Sequence, residues 1–181
     1  LKPCFRHIIF MPYPEYLLVP MREELTRLGV EELKTADAVD EAMDAAQEGT
    51  TLFIVNSVCG CAAANARPAV ALATQSEVQP DRIYTVFAGQ DLDATAQFRS
   101  YLPGVPPSSP SMFLFKNGEP IFLIERRFIE GRSAQAIGMD LVNAYRKYVG
   151  TDEMPDVPEL PNAPLPAFAM GGRPSSFRSI M

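Results

Sequence analysis

The sequence predicts an α/β fold in three layers, with a mixed central sheet flanked by helices. Three observations point there. "TLFIVN" (Thr51–Asn56) and "RIYTVFAG" (Arg82–Gly89) are short β-branched and apolar runs, the mark of buried strands. Helical patterns lie between such runs, and a strand-helix-strand succession calls for parallel pairing through right-handed crossovers. Late in the chain, "SMFLFKNGEPIFLIERR" places strands at Met112–Phe115 and Ile121–Glu125 around Asn117-Gly118, a strong hairpin signal that adds antiparallel partners.

The elements follow in order. In "YPEYLLVPMREELTRLG" (Tyr13–Gly29), Leu17, Leu18, Met21, Leu25 and Leu28 recur at helical spacing. Pro20 predicts a boundary or kink inside this helix, and Gly29 a C-cap. "VEEL" (Val30–Leu33) is short enough for an edge strand. The next helix has Thr35 or Asp37 as N-cap and a stripe of Ala38, Val39, Ala42, Met43 and Ala46, closed by Gly49. After Asn56 come two cysteines and "AAANARPAVALATQS", a helix in which Pro68 predicts a kink or a first turn. "DLDATAQFRSYL" (Asp91–Leu102) is a short helix with an acidic first turn, suited to the helix dipole. "PGVPPSSP" (Pro103–Pro110) is a turn-rich loop, and Pro120 begins a strand or sits at an edge. Ser133 caps a last helix that Gly150 ends, with Ile137, Leu141, Ala144, Tyr145 and Tyr148 on its buried face. Residues 1–150 thus form one domain, and residues 151–181 a Pro-rich, extended tail in which Phe168 and Phe177 are candidate docking points. This order resembles the thioredoxin-like arrangement, with an extra N-terminal helix.

Composition narrows the function classes. The chain has 181 residues, 47% hydrophobic and 21% charged, enough for a soluble core. A formal charge of -6 argues against a general nucleic-acid binder. No apolar run approaches the roughly 20 residues of a membrane helix. The opening stretch has no long apolar region with a small-residue cleavage site, and the three cysteines are too few and odd in number for a secreted disulfide scaffold. The expected location is the cytoplasm, where cysteine pairs tend to be catalytic rather than structural.

The chemistry concentrates in "NSVCGCAAANARP" (Asn56–Pro68). Cys59 and Cys61 fall after a buried strand where a helix starts, the end of the strands at which open α/β folds place their sites. Unpaired N–H groups and the dipole of a helix N-terminus favour a thiolate. Cys59, nearest the turn, is the expected nucleophile. Cys61 is two residues on and can displace a substrate held on Cys59, while Gly60 lets the backbone bend. Three alternatives stand beside this redox reading. The pair is a set of buried small residues, or a metal clip completed by Cys4 and His7, or part of a redox-inactive interaction module whose tail recruits partners. Structural zinc needs four clustered ligands, and Cys4 and His7 would form an odd half-site far upstream. No metal or cofactor is therefore expected. Asn65 and Arg67 could offer hydrogen bonds to the carboxylates of a bound thiol, and Asn56 or Ser57 could cap the turn.

On these residues the chain resembles the bacilliredoxin family, a thioredoxin-like group bearing Cys-Gly-Cys. The likeness is carried by "PMREELTRLGVEELKT", "GTTLFIVNSVCGCAAANARPAVALA", "FAGQD", "PPSSPSMFLFKNG" and "IEGRSA". The resemblance implies removal of bacillithiol or another low-molecular-weight thiol from thiol-modified client proteins, with weak thiol-disulfide isomerase activity. It implies attack by Cys59 and resolution by Cys61. It also implies that Pro110 is a cis proline facing the cysteines. Arg127 stands where the family is associated with a histidine, and the tail from Thr151 differs from the compact family form.

Overall fold

The computed structural model describes residues 13–161. Twelve elements follow the predicted order: α1 (Glu15–Thr26), β1 (Glu31–Glu32), α2 (Ala36–Ala45), β2 (Thr50–Asn56), a π-turn (Ala62–Ala66) leading into α3 (Arg67–Ala73), β3 (Arg82–Phe87), α4 (Leu92–Ser100), β4 (Ser111–Lys116), β5 (Glu119–Ile124), a 3-10 turn (Arg126–Phe128) and α5 (Ala134–Tyr148). The sheet order is β1-β3-β2-β4-β5. β2 pairs parallel with β3 and antiparallel with β4, so the sheet is mixed, as expected. This is the thioredoxin-like arrangement.

Alternation along β2 separates the two helical layers. Leu52 and Ile54 face a core shared with α3 and α5. Phe53 and Val55 face a second core built with α2 and α4, where Phe98 stacks on Phe53 at 4.9 Å. β2 is buried along its whole length, which is why its sequence reads as a continuous apolar run rather than an alternating one. The predicted caps form: Thr35 Oγ1 accepts from the Ala38 amide and Ser133 Oγ from the Ala136 amide. The hairpin turns through Asn117 and Gly118, both at positive φ, and Pro120 sits on the edge strand beside a bulge.

Two prolines fall inside helical segments. α1 runs through Pro20 without a boundary. The carbonyl left without a helical donor belongs to Tyr16, an exposed residue. Pro68 lies in the first turn of α3, one of the two expected outcomes, and the π-turn precedes it.

Residues 151–161, the described part of the tail, form no helix, and they dock on the domain. Glu159 bridges β5 in parallel, donating its amide to the Ile121 carbonyl and accepting from the Leu123 amide. Its carboxylate accepts from Tyr148 Oη at 2.7 Å and pairs with Lys147 at 3.2 Å. Main-chain pairing therefore continues past Gly150. Phe168 and Phe177 lie outside the described residues, as do Cys4 and His7. No helix among the described residues is long and apolar enough to cross a membrane.

Candidate active site

The site lies at the C-terminal end of β2. The strand stops at Asn56, and the chain turns through Ser57 and Val58 before the helix begins at Gly60. Cys59 sits at that start: its carbonyl accepts from the amides of Ala62 (3.0 Å) and Ala63 (3.2 Å). Its sulfur is 3.4 Å from the Ala62 amide and 3.1 Å from Ser57 Oγ. Both cysteines are free thiols and half-buried. Gly60 is exposed, with open space where a Cβ would stand.

The two thiols differ. Burial pushes the Cys59 thiol up, but hydrogen bonds from Cys61, Ser57 and the Ala62 amide, with the positive charge of Arg126, outweigh it; its pKa lies below the ordinary thiol value. Burial also pushes the Cys61 thiol up, and its hydrogen bond to Cys59, the Cys59 charge and Glu130 add to that; its pKa rises to about 11. Hydrogen bonding to an anion and repulsion from it are thus both concentrated on one sulfur of the pair. Of the two, Cys59 is the sulfur held toward its anion and Cys61 the one held protonated.

Pro110 immediately precedes β4. The Ser109–Pro110 peptide bond is cis and Pro110 is buried. Ser111 pairs with Val55 across β2 and β4, so Pro110 lies beside the end of β2 from which the cysteine turn departs. β5 ends at the same edge and delivers Arg126, whose amide donates to Ser108 Oγ at 2.8 Å. Its guanidinium pairs with Glu130 at 2.6 Å and remains 47% exposed.

Arg67, Asn65 and Arg127 are engaged within the protein. Arg67 is 3% exposed and holds Glu24, Asn56 and Ser57. A guanidinium that far from water must be paired, and α1 supplies the carboxylate. Asn65 donates its side-chain amide to the Arg132 carbonyl, tying the π-turn to the loop before α5. Arg127 pairs with Glu125 at 2.6 Å and lies over the Phe128 ring, a surface role. Sequence reasoning missed Arg126. The two arginines are adjacent, and only the 3-10 turn decides which charge reaches the sulfurs. Asn56 does cap the turn, with Oδ1 accepting from the Ser57 amide at 2.9 Å. Among the described residues, no three His, Cys, Asp or Glu side chains cluster as a metal site would require.

A family model described as Disulphide isomerase matches residues 13–149. A bacilliredoxin of Salinibacter ruber is 54% identical over 171 residues, covering 94% of this chain and 99% of that protein. A bacilliredoxin of Koribacter versatilis is 51% identical over 138 residues, covering 76% and 94%, and one of Bacillus cereus is 51% identical over 139 residues, covering 75% and 96%. The first match extends beyond residue 150, so the tail that differs from the compact family form has a counterpart in a longer relative. A solved structure described as a putative oxidoreductase with a thioredoxin fold aligns at TM-score 0.44 and 17% identity over 55% of this chain and 85% of that chain; the fold itself stands on the strand order and pairing of the sheet. With half its residues or more shared across three-quarters of its length, the chain belongs to the bacilliredoxin family of thiol-disulfide oxidoreductases.

Proposed function

We propose that the protein removes a low-molecular-weight thiol of the bacillithiol type from client proteins that carry it as a mixed disulfide. The observation that carries this reading is the opposite displacement of the two thiols. The Cys59 thiolate attacks the small thiol's sulfur. A Cys59–small-thiol disulfide forms, and the client sulfur leaves as a thiolate that takes a proton from water. Cys59 is then uncharged. The repulsion and hydrogen bond that held the proton on Cys61 are gone, so Cys61 ionises and attacks the Cys59 sulfur. The small thiol leaves, and a Cys59–Cys61 disulfide remains, to be reduced by an external dithiol or thiol. The charge coupling thereby orders the two steps.

The surroundings suit a bulky substrate. Ala63 and Ala64 are exposed and small, and Gly60 presents only backbone. For a carboxylate on the small thiol we assign Arg126, whose charge acts on both sulfurs, in place of the internally bonded Asn65 and Arg67. The same attack on a protein-protein disulfide supports a weak isomerase activity, in keeping with the description of the family model. Such chemistry belongs in a reducing, thiol-rich compartment, the cytoplasm.

The test uses a model protein loaded with the mixed disulfide. Cys59→Ser should abolish release of the small thiol. Cys61→Ser should stop at a stable adduct whose mass maps to Cys59. Release by Cys59→Ser, with no adduct on Cys61→Ser, would overturn the assignment.

A further inference from the structure

Among the described residues, Arg67 is the buried cation that reaches the cysteine turn, and the two exchange steps make no use of it. It sits 3% exposed on α3, immediately after the π-turn. Its Nε and Nη2 hold both oxygens of Glu24, at 2.8 and 3.3 Å. Nη1 points the other way, donating to Asn56 Oδ1 at 3.2 Å and to the Ser57 carbonyl at 3.1 Å. Asn56 Oδ1 also accepts from the Ser57 amide. Both peptide groups of Ser57 are thus fixed by one guanidinium, directly at the carbonyl and through Asn56 at the amide. The Ser57 hydroxyl, set by that backbone, lies 3.1 Å from the Cys59 sulfur. The helix geometry fits this use. An i→i+5 turn shifts the phase of the helix beyond it, and π-turns are frequent at functional sites. Here it leaves both cysteines at the helix start while Arg67 points inward.

We propose that the Glu24–Arg67 pair is a positioning device: the guanidinium clamps Ser57 at both ends and so holds its hydroxyl against the Cys59 sulfur. The extra N-terminal helix thereby belongs to the reactive centre through Glu24. Arg67 is a positioning residue that touches no reacting atom. The inference rests on the reading that Cys59 attacks first.

The planar fork of an arginine can serve Glu24, Asn56 and Ser57 together, whereas a lysine keeps the charge and loses that geometry. Arg67→Lys therefore separates position from charge. The measurement is the pH dependence of Cys59 alkylation by iodoacetamide, read on Cys59 by fragment-ion mass spectrometry, which needs no disulfide substrate. Ser57→Ala should raise the midpoint by on the order of one pH unit. Ser57→Thr should restore most of it. Arg67→Lys should raise the midpoint by a similar amount in the parent protein and by almost nothing in the Ser57→Ala background. Should Arg67→Lys fail to fold, Glu24→Gln carries the same cycle. Loss of that charge alone would lower the midpoint, whereas loosening of the clamp raises it. A shift that persists undiminished without the Ser57 hydroxyl, or no shift in a folded variant, overturns the positioning role alone. A parent midpoint at the ordinary thiol value of about 8.5 overturns the nucleophile reading and this inference with it.

Discussion

The central strand has a buried cation at each end, and the two ends do different things. At the start of β2, Lys116 is 6% exposed and donates to the carbonyls of Tyr148, Thr151 and Glu153. All three are main-chain acceptors, left over where α5 ends and the tail begins. Nothing reactive lies beyond them. At the far end, Arg67 is as fully paired, but its chain of contacts ends on a residue that touches the Cys59 sulfur. Burial and saturation are shared, so neither identifies a functional group. The next bonded atom does.

Three experiments press on that contrast. Arg67→Met should cost the most. It leaves the Ser57 carbonyl without this donor, Asn56 Oδ1 with the Ser57 amide alone, and Glu24 without its partner, an expected loss of about 3 kcal/mol. Denaturant unfolding measures the loss, and the Cys59 alkylation midpoint should rise in the same variant. Lys116→Met keeps the apolar stem and removes the ammonium from three carbonyls that water can partly reach. About 2 kcal/mol is expected, with the alkylation midpoint unchanged. A shift at Cys59 in that variant would erase the distinction between the two ends.

The smallest effect is a pH dependence. Cys61 ionises near 9 in an unfolded chain and at about 11 in the folded protein. The unfolded chain therefore loses this proton first, and stability falls as pH rises from about 9 to about 11. Cys59, shifted the other way, contributes its full stabilisation above the unfolded thiol value and adds no slope in that window. Thermal midpoints under reductant should fall more steeply there for the parent protein than for Cys61→Ser. Equal slopes would remove the asymmetry between the two thiols.

The sequence by itself determined the element order, the hairpin, the cysteine turn and the position of Pro110. Each is written in local terms: the run Leu52, Phe53, Ile54 and Val55 within β2, Asn-Gly at a two-residue turn, small residues around Cys-Gly-Cys, Ser-Pro before a strand. Local sterics and hydrogen bonding suffice for such features, so adjacent residues encode them. Tertiary structure alone decided the partners of charged groups. Arg67 meets Glu24 across 43 positions of chain, and Asn65 meets Arg132 across 67. A charge or an amide carries no mark of which distant group will face it. Arg126 and Arg127 are indistinguishable in sequence, and the turn after β5 gives one to the sulfurs and the other to the surface. The docking of Glu159 on β5 rests likewise on a sheet edge left open by the fold. The position of the cysteine pair was legible because a strand end and a helix start are local events. The charged groups packed around that turn come from α1, α3 and the turn after β5, and only packing brings them together.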